Sequence, residues 1–292
     1  MRSLLLAAAV LALPQLLFAQ TAASADSARR AKECPSCAEW NAPQAPFRIH
    51  GNTYYVGTRG LSAILVTSDA GHVLVDSGLP ESAPLIEANI RALGFRIQDV
   101  KLILNSHAHF DHAGGAAELQ RASGAEVAAT EPSARMLRAG GPTPDDPQYG
   151  EALPYPVVSQ VRVFQPGDTL RIGPNALVAH LTAGHTPGGT TWTWRSCEGE
   201  NCLDIVYADS QTPISADDFY FTRSRTYTTG VEDFRRGHAT IEQLRCDILI
   251  APHPGAVRLF ERAGNFVDRS ACVRYAENAR KQLAERLAKE GL

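Results

Sequence analysis

Val100-Lys101-Leu102-Ile103-Leu104-Asn105-Ser106-His107-Ala108-His109-Phe110-Asp111-His112 runs an apolar strand straight into four potential metal ligands. Four such residues so closely spaced cannot share one face of a helix or strand, so the segment after Leu104 is expected to be a loop with converging side chains. Zinc takes neutral imidazole at about 2.0–2.1 Å and carboxylate at about 2.0–2.2 Å, and a His-x-His pair lets two rings reach one ion. His107 and His109 would serve a first ion, which leaves Asp111 and His112 free to reach a second.

The flanking sequence supplies a frame for this loop. Upstream, residues 53–57, 61–67 and 72–76 read as strands, with Asp69-Ala70-Gly71 as a hairpin turn and a helix near 82–93. Downstream come a helix near 115–122, a strand at 125–129, a helix near 132–138 and a Pro/Gly/Asp-rich loop from 140 to 156. Strands follow near 160–164, 169–172, 176–182, 190–195 and 203–208, then a helix near 231–244, a strand at 247–251 and helices from about 256. Strands followed by helices, twice over, imply two β-sheets packed together with helices outside, in a single α/β domain over 26–292. Two more histidines sit on loops at strand ends, where open α/β sheets place ligands: His185 in Ala183-Gly184-His185-Thr186-Pro187-Gly188-Gly189 and His253 in Ala251-Pro252-His253-Pro254-Gly255. They complete two ligand sets. His50, His72, His180 and His238 have no clustered partners and read as structural.

Composition narrows the partners. The 292 residues are 44% hydrophobic and 20% charged with a formal net charge of −3, a globular balance without the basic excess that phosphate neutralisation requires. Small-molecule partners are expected, not nucleic acid. Arg2, an apolar run over 4–19 broken by Pro14 and Gln15, and Ala23-Ser24-Ala25 come in signal-peptide order. Residues 1–25 therefore read as a cleaved export signal, with cutting after Ala25 or Ala19. No Cys follows for lipid attachment, so a periplasmic protein without a membrane anchor is expected. The lack of a heptad or apolar interface stripe makes a monomer the default.

Export favours disulfides among the six cysteines. Cys197 and Cys202 flank a polar turn between two strand-like runs and should clasp a hairpin. Cys246 and Cys272 would tie the start of a strand to the head of the last helix, a loop closure worth about 3.5 kcal/mol on the chain-entropy estimate. Cys34 and Cys37 remain, in a polar segment that lacks the strand-to-helix setting of a redox motif, and read as a structural link.

These motifs together resemble the metallo-β-lactamases of subclass B3, over nearly the whole chain from Gly51-Asn52-Thr53 through the last helix. His-x-His-x-Asp-His is common to the larger superfamily. More specific are Gly184-His185-Thr186-Pro187-Gly188 leading into Thr191-Trp192-Thr193-Trp194, Tyr207-Ala208-Asp209-Ser210, and Ala251-Pro252-His253-Pro254. The resemblance implies an αββα sandwich, two mixed sheets face to face with helices outside. It implies two zinc ions per chain, the first held by His107, His109 and His185 and the second by Asp111, His112 and His253. Ser210 stands where other subclasses place a cysteine ligand, and Thr212 where Ser or Thr helps bind the substrate carboxylate. At Thr58-Arg59-Gly60 some relatives have a cysteine paired to the N-terminal segment; Arg59 departs from that pattern and leaves Cys34 and Cys37 to each other.

The implied activity is hydrolysis of the β-lactam amide by a zinc-bound hydroxide, conferring antibiotic resistance, with Asp111 orienting the attacking oxygen. Other readings are a thioesterase or lactonase of the same fold, a nucleic-acid-processing relative, which the net charge opposes, and a zinc-binding protein without catalysis. Asp209 separates the first from the β-lactamase reading. In a B3 enzyme its carboxylate supports the site through hydrogen bonds, whereas in the thioesterase arrangement it bridges both ions.

Overall fold

Strands Ile64–Val66, His72–Val75 and Val100–Leu104 carry apolar side chains on both faces and, apart from exposed Lys101, are buried throughout. The structure, a computed structural model, describes residues 34–262 and 264–292; the export segment expected over 1–25 lies outside the described residues. The chain divides into two units, 1–39 and 40–292. In the first, Cys34 is bonded to Cys37. The second carries all the ligand candidates.

In that unit β1 (Phe47–His50), β2 (Thr53–Tyr55), β3 (Ile64–Val66), β4 (His72–Val75), β5 (Val100–Leu104), β6 (Glu126–Ala129) and β7 (Val161–Val163) form one sheet in that order. Its first pairings are antiparallel and those from β4 to β7 parallel. The other sheet is ordered β12-β11-β10-β9-β8, from β8 (Thr169–Ile172), β9 (Asn175–Leu181), β10 (Thr190–Glu198), β11 (Asn201–Tyr207) and β12 (Ile248–Ile250), with only β11–β12 parallel. Helices are α1 (Ala83–Ala92), α2 (Phe110–Ala113), α3 (Ala116–Ser123), α4 (Glu131–Ala139), α5 (Gly230–Gln243) and α6 (Ala271–Lys289).

The period-two alternation of strand side chains builds the layers. Ile64, Val66, Val73, Val75, Leu102 and Leu104 join Leu177, Ala179, Trp192, Ile205 and Tyr207 of the second sheet in one core. The intervening Leu65, Leu74 and Ile103 pack instead with Ile86 and Ile90 of α1, Leu119 of α3 and Met136 of α4. On the side of the second sheet, Phe234 of α5 packs against Leu283 and Leu287 of α6. The result is the α/β sandwich of two mixed sheets with helices outside. Trp192 is wholly buried, and its indole N–H donates to the Asn105 carbonyl at 2.9 Å, which links β10 to the start of the histidine loop. Cys197 bonds to Cys202 across the β10–β11 register pair, and Cys246 to Cys272 at the head of α6.

Some elements differ from the sequence expectation. β1 is an additional strand, paired antiparallel with β2. Residues 61–63 leave the strand because a turn holds Thr58 N–H on the Leu61 carbonyl at 2.9 Å. After β12, residues 254–262 form two short 3-10 turns and the last helix starts only at Ala271. The histidine segment is not a loop throughout, because Phe110–Ala113 closes a helical turn with Ala113 N–H on the His109 carbonyl at 2.8 Å.

His238 on α5 is wholly buried, neither ring nitrogen has a hydrogen-bond partner among the described residues, and burial with Arg280 nearby lowers its pKa to about 4. The folded chain refuses a proton that the unfolded chain takes below about pH 6.5. Its contribution is thus present above that pH and is lost toward pH 4, at up to about 1.4 kcal/mol per pH unit. In urea unfolding of metal-free protein, His238→Gln should flatten the stability–pH slope over this window by about one proton. An unchanged slope refutes the assignment.

Candidate metal centre

Every candidate ligand is delivered by the end of a strand. The segment leaving β5 presents His107 and His109, and the α2 turn then carries Asp111 and His112 back toward them. His185 lies between β9 and β10, and His253 follows β12. Five histidines from three chain segments thereby share a small volume with Asp111.

The ligand atoms of His107, His109 and His185 all lie within 4.8 Å of one another, as do those of His107, Asp111 and His112. His253 joins the second group through Asp111, whose Oδ2 is 3.3 Å from His253 Nε2 and 3.2 Å from His112 Nε2. Its side chain, 34% exposed, sits at the mouth, whereas those of His107, His109 and His112 are at most 3% exposed. Asp209, in neither convergent set, stands behind His107, with Oδ1 2.8 Å from Nδ1.

In His107, His109, His185 and His253 the other ring nitrogen is engaged from the rear, and this fixes which atom faces the cluster. His185 Nδ1 is 2.8 Å from the Thr212 carbonyl, and His253 Nδ1 is 3.2 Å from that of Gly60. His109 is reversed: its Nε2 lies 3.0 and 3.2 Å from the two Asp146 oxygens, which leaves the lone pair on Nδ1, with the Gln148 side-chain amide 3.4 Å from it. His107 Nε2 is buried without a hydrogen-bond partner among the described residues. A buried lone pair aimed at other imidazoles fits a divalent cation, and the N/O donor set suits zinc chemistry.

Three of these supports escaped the sequence reading: Asp76, Asp146 and the Gly60 carbonyl. Asp76 had a signal, an acidic residue ending the apolar run of β4. Its buried carboxylate accepts Ser106 N–H at 2.6 Å, Ser106 O–H at 2.8 Å and Tyr207 O–H at 2.6 Å, with His112 Nδ1 at 3.7 Å. Thr212 enters by its backbone as well as its hydroxyl, which lies 3.5 Å from His185 Nδ1. Ser210, 8% exposed, directly follows Asp209 on the segment leaving β11.

Burial keeps two of the imidazoles, His107 and His185, as neutral donors. Burial, reinforced by His112, His185 and His109, lowers the pKa of His107 well below the ordinary value, and burial with His109 brings His185 to about 3. For His109, burial acts downward but the Asp146 carboxylate outweighs it and raises the pKa. Burial would lift Asp111, yet His112 and His253 hold it well below the usual carboxylate range.

A sequence profile described as the metallo-β-lactamase superfamily matches residues 56–198. Among solved structures, the chain is similar to the Rm3 metallo-β-lactamase, at 53% identity and a TM-score of 0.87 over 89% of this chain and 99% of that one. It is similar to a subclass B3 metallo-β-lactamase from a soil metagenome library, at 48% identity and 0.85 over 86% and 98% of the two chains. The metallo-β-lactamase MIM-1 from Novosphingobium pentaromativorans is 47% identical with a TM-score of 0.83, over 86% and 93%. A hydroxyacylglutathione hydrolase of Anaeromyxobacter dehalogenans is 32% identical over 130 residues, a stretch that spans 44% of this chain and 40% of that protein.

Gly189 is where the rear support is tightest. A Cβ there would lie 2.1 Å from Asp209 Oδ2, so any larger residue displaces the carboxylate from His107. Gly189→Ala should lower metal affinity by about 10–100-fold, the usual effect of losing such a support, as read by chelator competition. Wild-type affinity in this variant shows that His107 needs no help from Asp209.

Proposed function

Because the chain belongs to the metallo-β-lactamase superfamily and its close structural neighbours are subclass B3 enzymes, we propose that it is a two-zinc β-lactamase. It hydrolyses the lactam amide of penicillins, cephalosporins and carbapenems in the periplasm, after removal of the export signal, as a monomer. The observation that carries this reading is the convergence of His107, His109, His185, Asp111, His112 and His253, with rear contacts aiming their free atoms inward. Three cysteine pairs support an oxidising compartment, and no helix among the described residues is long and apolar enough to cross a membrane.

His107, His109 and His185 would hold the first zinc, and Asp111, His112 and His253 the second. Metal bound there supplies a Lewis acid for the carbonyl oxygen and acidifies a water into the neutral range. Asp111 accepts a hydrogen bond from the attacking water and orients it toward the carbonyl. Ser210 and Thr212 hold the substrate carboxylate by their hydroxyls, which fixes the lactam against that water. No covalent intermediate on a protein nucleophile is involved.

The partial match to a hydroxyacylglutathione hydrolase supports a second reading, thioester hydrolysis. Asp209 weighs against it, since its carboxylate backs His107 instead of standing among the ligand atoms. Purified protein should hydrolyse a carbapenem and leave an acylglutathione thioester intact. Chelation should abolish turnover and added zinc restore it. Thioester cleavage without β-lactam cleavage reverses the choice, and activity that survives complete metal removal refutes both.

His253→Ala should weaken the second metal position more than the first, since His107, His109 and His185 remain. At limiting zinc the bound stoichiometry should fall toward one ion per chain. Unchanged binding of two ions shows the assignment of His253 to be wrong.

A further inference from the structure

The support behind His109 differs from the others in where it comes from. His107 is backed from the end of β11 and His253 from the residues after β2, but Asp146 lies in the loop 140–156, which contains no strand or helix. We propose that Asp146 is a positioning residue that fixes the ring tautomer and orientation of His109, and through it the affinity of the first metal position. The inference rests on the reading that His107, His109 and His185 hold a metal, and not on which bond the protein cleaves.

The chemistry requires a particular proton placement. A carboxylate facing Nε2 is an acceptor, so Nε2 carries the hydrogen and the Nδ1 lone pair is left as the donor atom. Both Asp146 oxygens lie within 3.2 Å of Nε2, and the residue is 1% exposed, so little water competes for the contact. Without that carboxylate only the longer contact of the Gln148 side-chain amide with Nδ1, at 3.4 Å, opposes the other tautomer, which puts the hydrogen on the atom that must face the metal.

Asp146 is itself held by a tight local turn. Its N–H donates to the Thr143 carbonyl at 2.8 Å, its carbonyl accepts Tyr149 N–H at 3.1 Å, and its Oδ1 accepts Gln148 N–H at 2.8 Å. This turn is stitched to the segment after β11, with Ala216 N–H on the Pro147 carbonyl at 2.9 Å and Asp217 N–H on Glu151 Oε1 at 2.8 Å. That same segment supplies the Thr212 carbonyl behind His185. Two of the three imidazoles of the first position are therefore backed by two segments bound to each other. A cleft of about 710 Å³ lies between them, with Asp146 in its wall beside Pro144, Pro147, Tyr149, Phe219 and Tyr220.

The test compares Asp146→Ala with Asp146→Asn, whose amide oxygen can accept the same Nε2 hydrogen. Zinc affinity is read by chelator competition, and the His109 tautomer by nitrogen-15 NMR of the metal-free full chain. Asp146→Ala should lose about 10–100-fold in affinity at the first position and its Nε2-protonated preference, while Asp146→Asn keeps the tautomer and most of the affinity. Wild-type affinity in Asp146→Ala overturns the proposal. So does an equal loss in both variants with the His109 tautomer unchanged, because Asp146 would then only pack the loop. None of these readouts uses a β-lactam, so failure of the activity reading leaves the outcome interpretable.

Discussion

One buried carboxylate joins the two sheets to the ligand cluster. Asp76 ends β4 at φ 63°, a left-handed conformation uncommon for a residue with a Cβ. Such backbone strain costs about 1–3 kcal/mol and persists only where the surroundings over-determine it. Here Ser106 of the histidine loop donates twice and Tyr207 of β11 once, while the His112 ring lies alongside. Burial lifts the pKa of Asp76 even against these partners, which measures how much the site demands of its hydrogen bonds. Next to it, Ser77 N–H and O–H both donate to the His112 carbonyl, at 2.8 and 2.9 Å. The positions of β4, the loop after β5, α2 and β11 are thus coupled through two adjacent residues.

Around that anchor the candidate ligands are pre-organised. Ring centroids of His107 lie 4.9, 4.4 and 4.7 Å from those of His109, His112 and His185, a crowding that adds to burial in disfavouring a proton on His107. Burial keeps His107 and His185 neutral, and a neutral imidazole is the form that binds metal. The rear contacts then select one nitrogen in each of His107, His109, His185 and His253. Metal affinity is accordingly a property of the supports as much as of the ligands.

What could be read in the sequence follows from how distinctive each signal is. Four ligand residues at 107–112 have few uses other than a metal site, and the near-continuous apolar runs of β3, β4 and β5 declare strands buried on both faces. Asp209 was legible because the Ala208-Asp209-Ser210 motif distinguishes relatives of one fold. Asp146 was silent, since an aspartate in a Pro/Asp-rich loop is an ordinary turn residue and its partner is 37 residues away. β1 gave no clean alternation: its intermediate, exposed and then two buried positions follow the bulge where it meets β2. The helical turn at Phe110–Ala113 was hidden by its own chemistry, because ligand-rich spacing reads as a loop whether or not a short helix carries it.

The division between strand ends and loops has a further consequence for how this site can vary. Rigid strand ends deliver the ligands, and backbone carbonyls support His185 and His253, so most side-chain changes leave those two contacts in place. His107 and His109 instead depend on the carboxylates of Asp209 and Asp146, and the second stands on a loop that also walls a large cleft. Loops of this kind change most readily without damage to the core. On the role proposed for Asp146, a change in 140–156 that reshapes the cleft also shifts the support of a metal ligand. Loop sequence and metal affinity are then coupled in this chain, and loop changes that keep Asp146 within hydrogen-bond reach of His109 Nε2 are the ones the metal centre can accommodate.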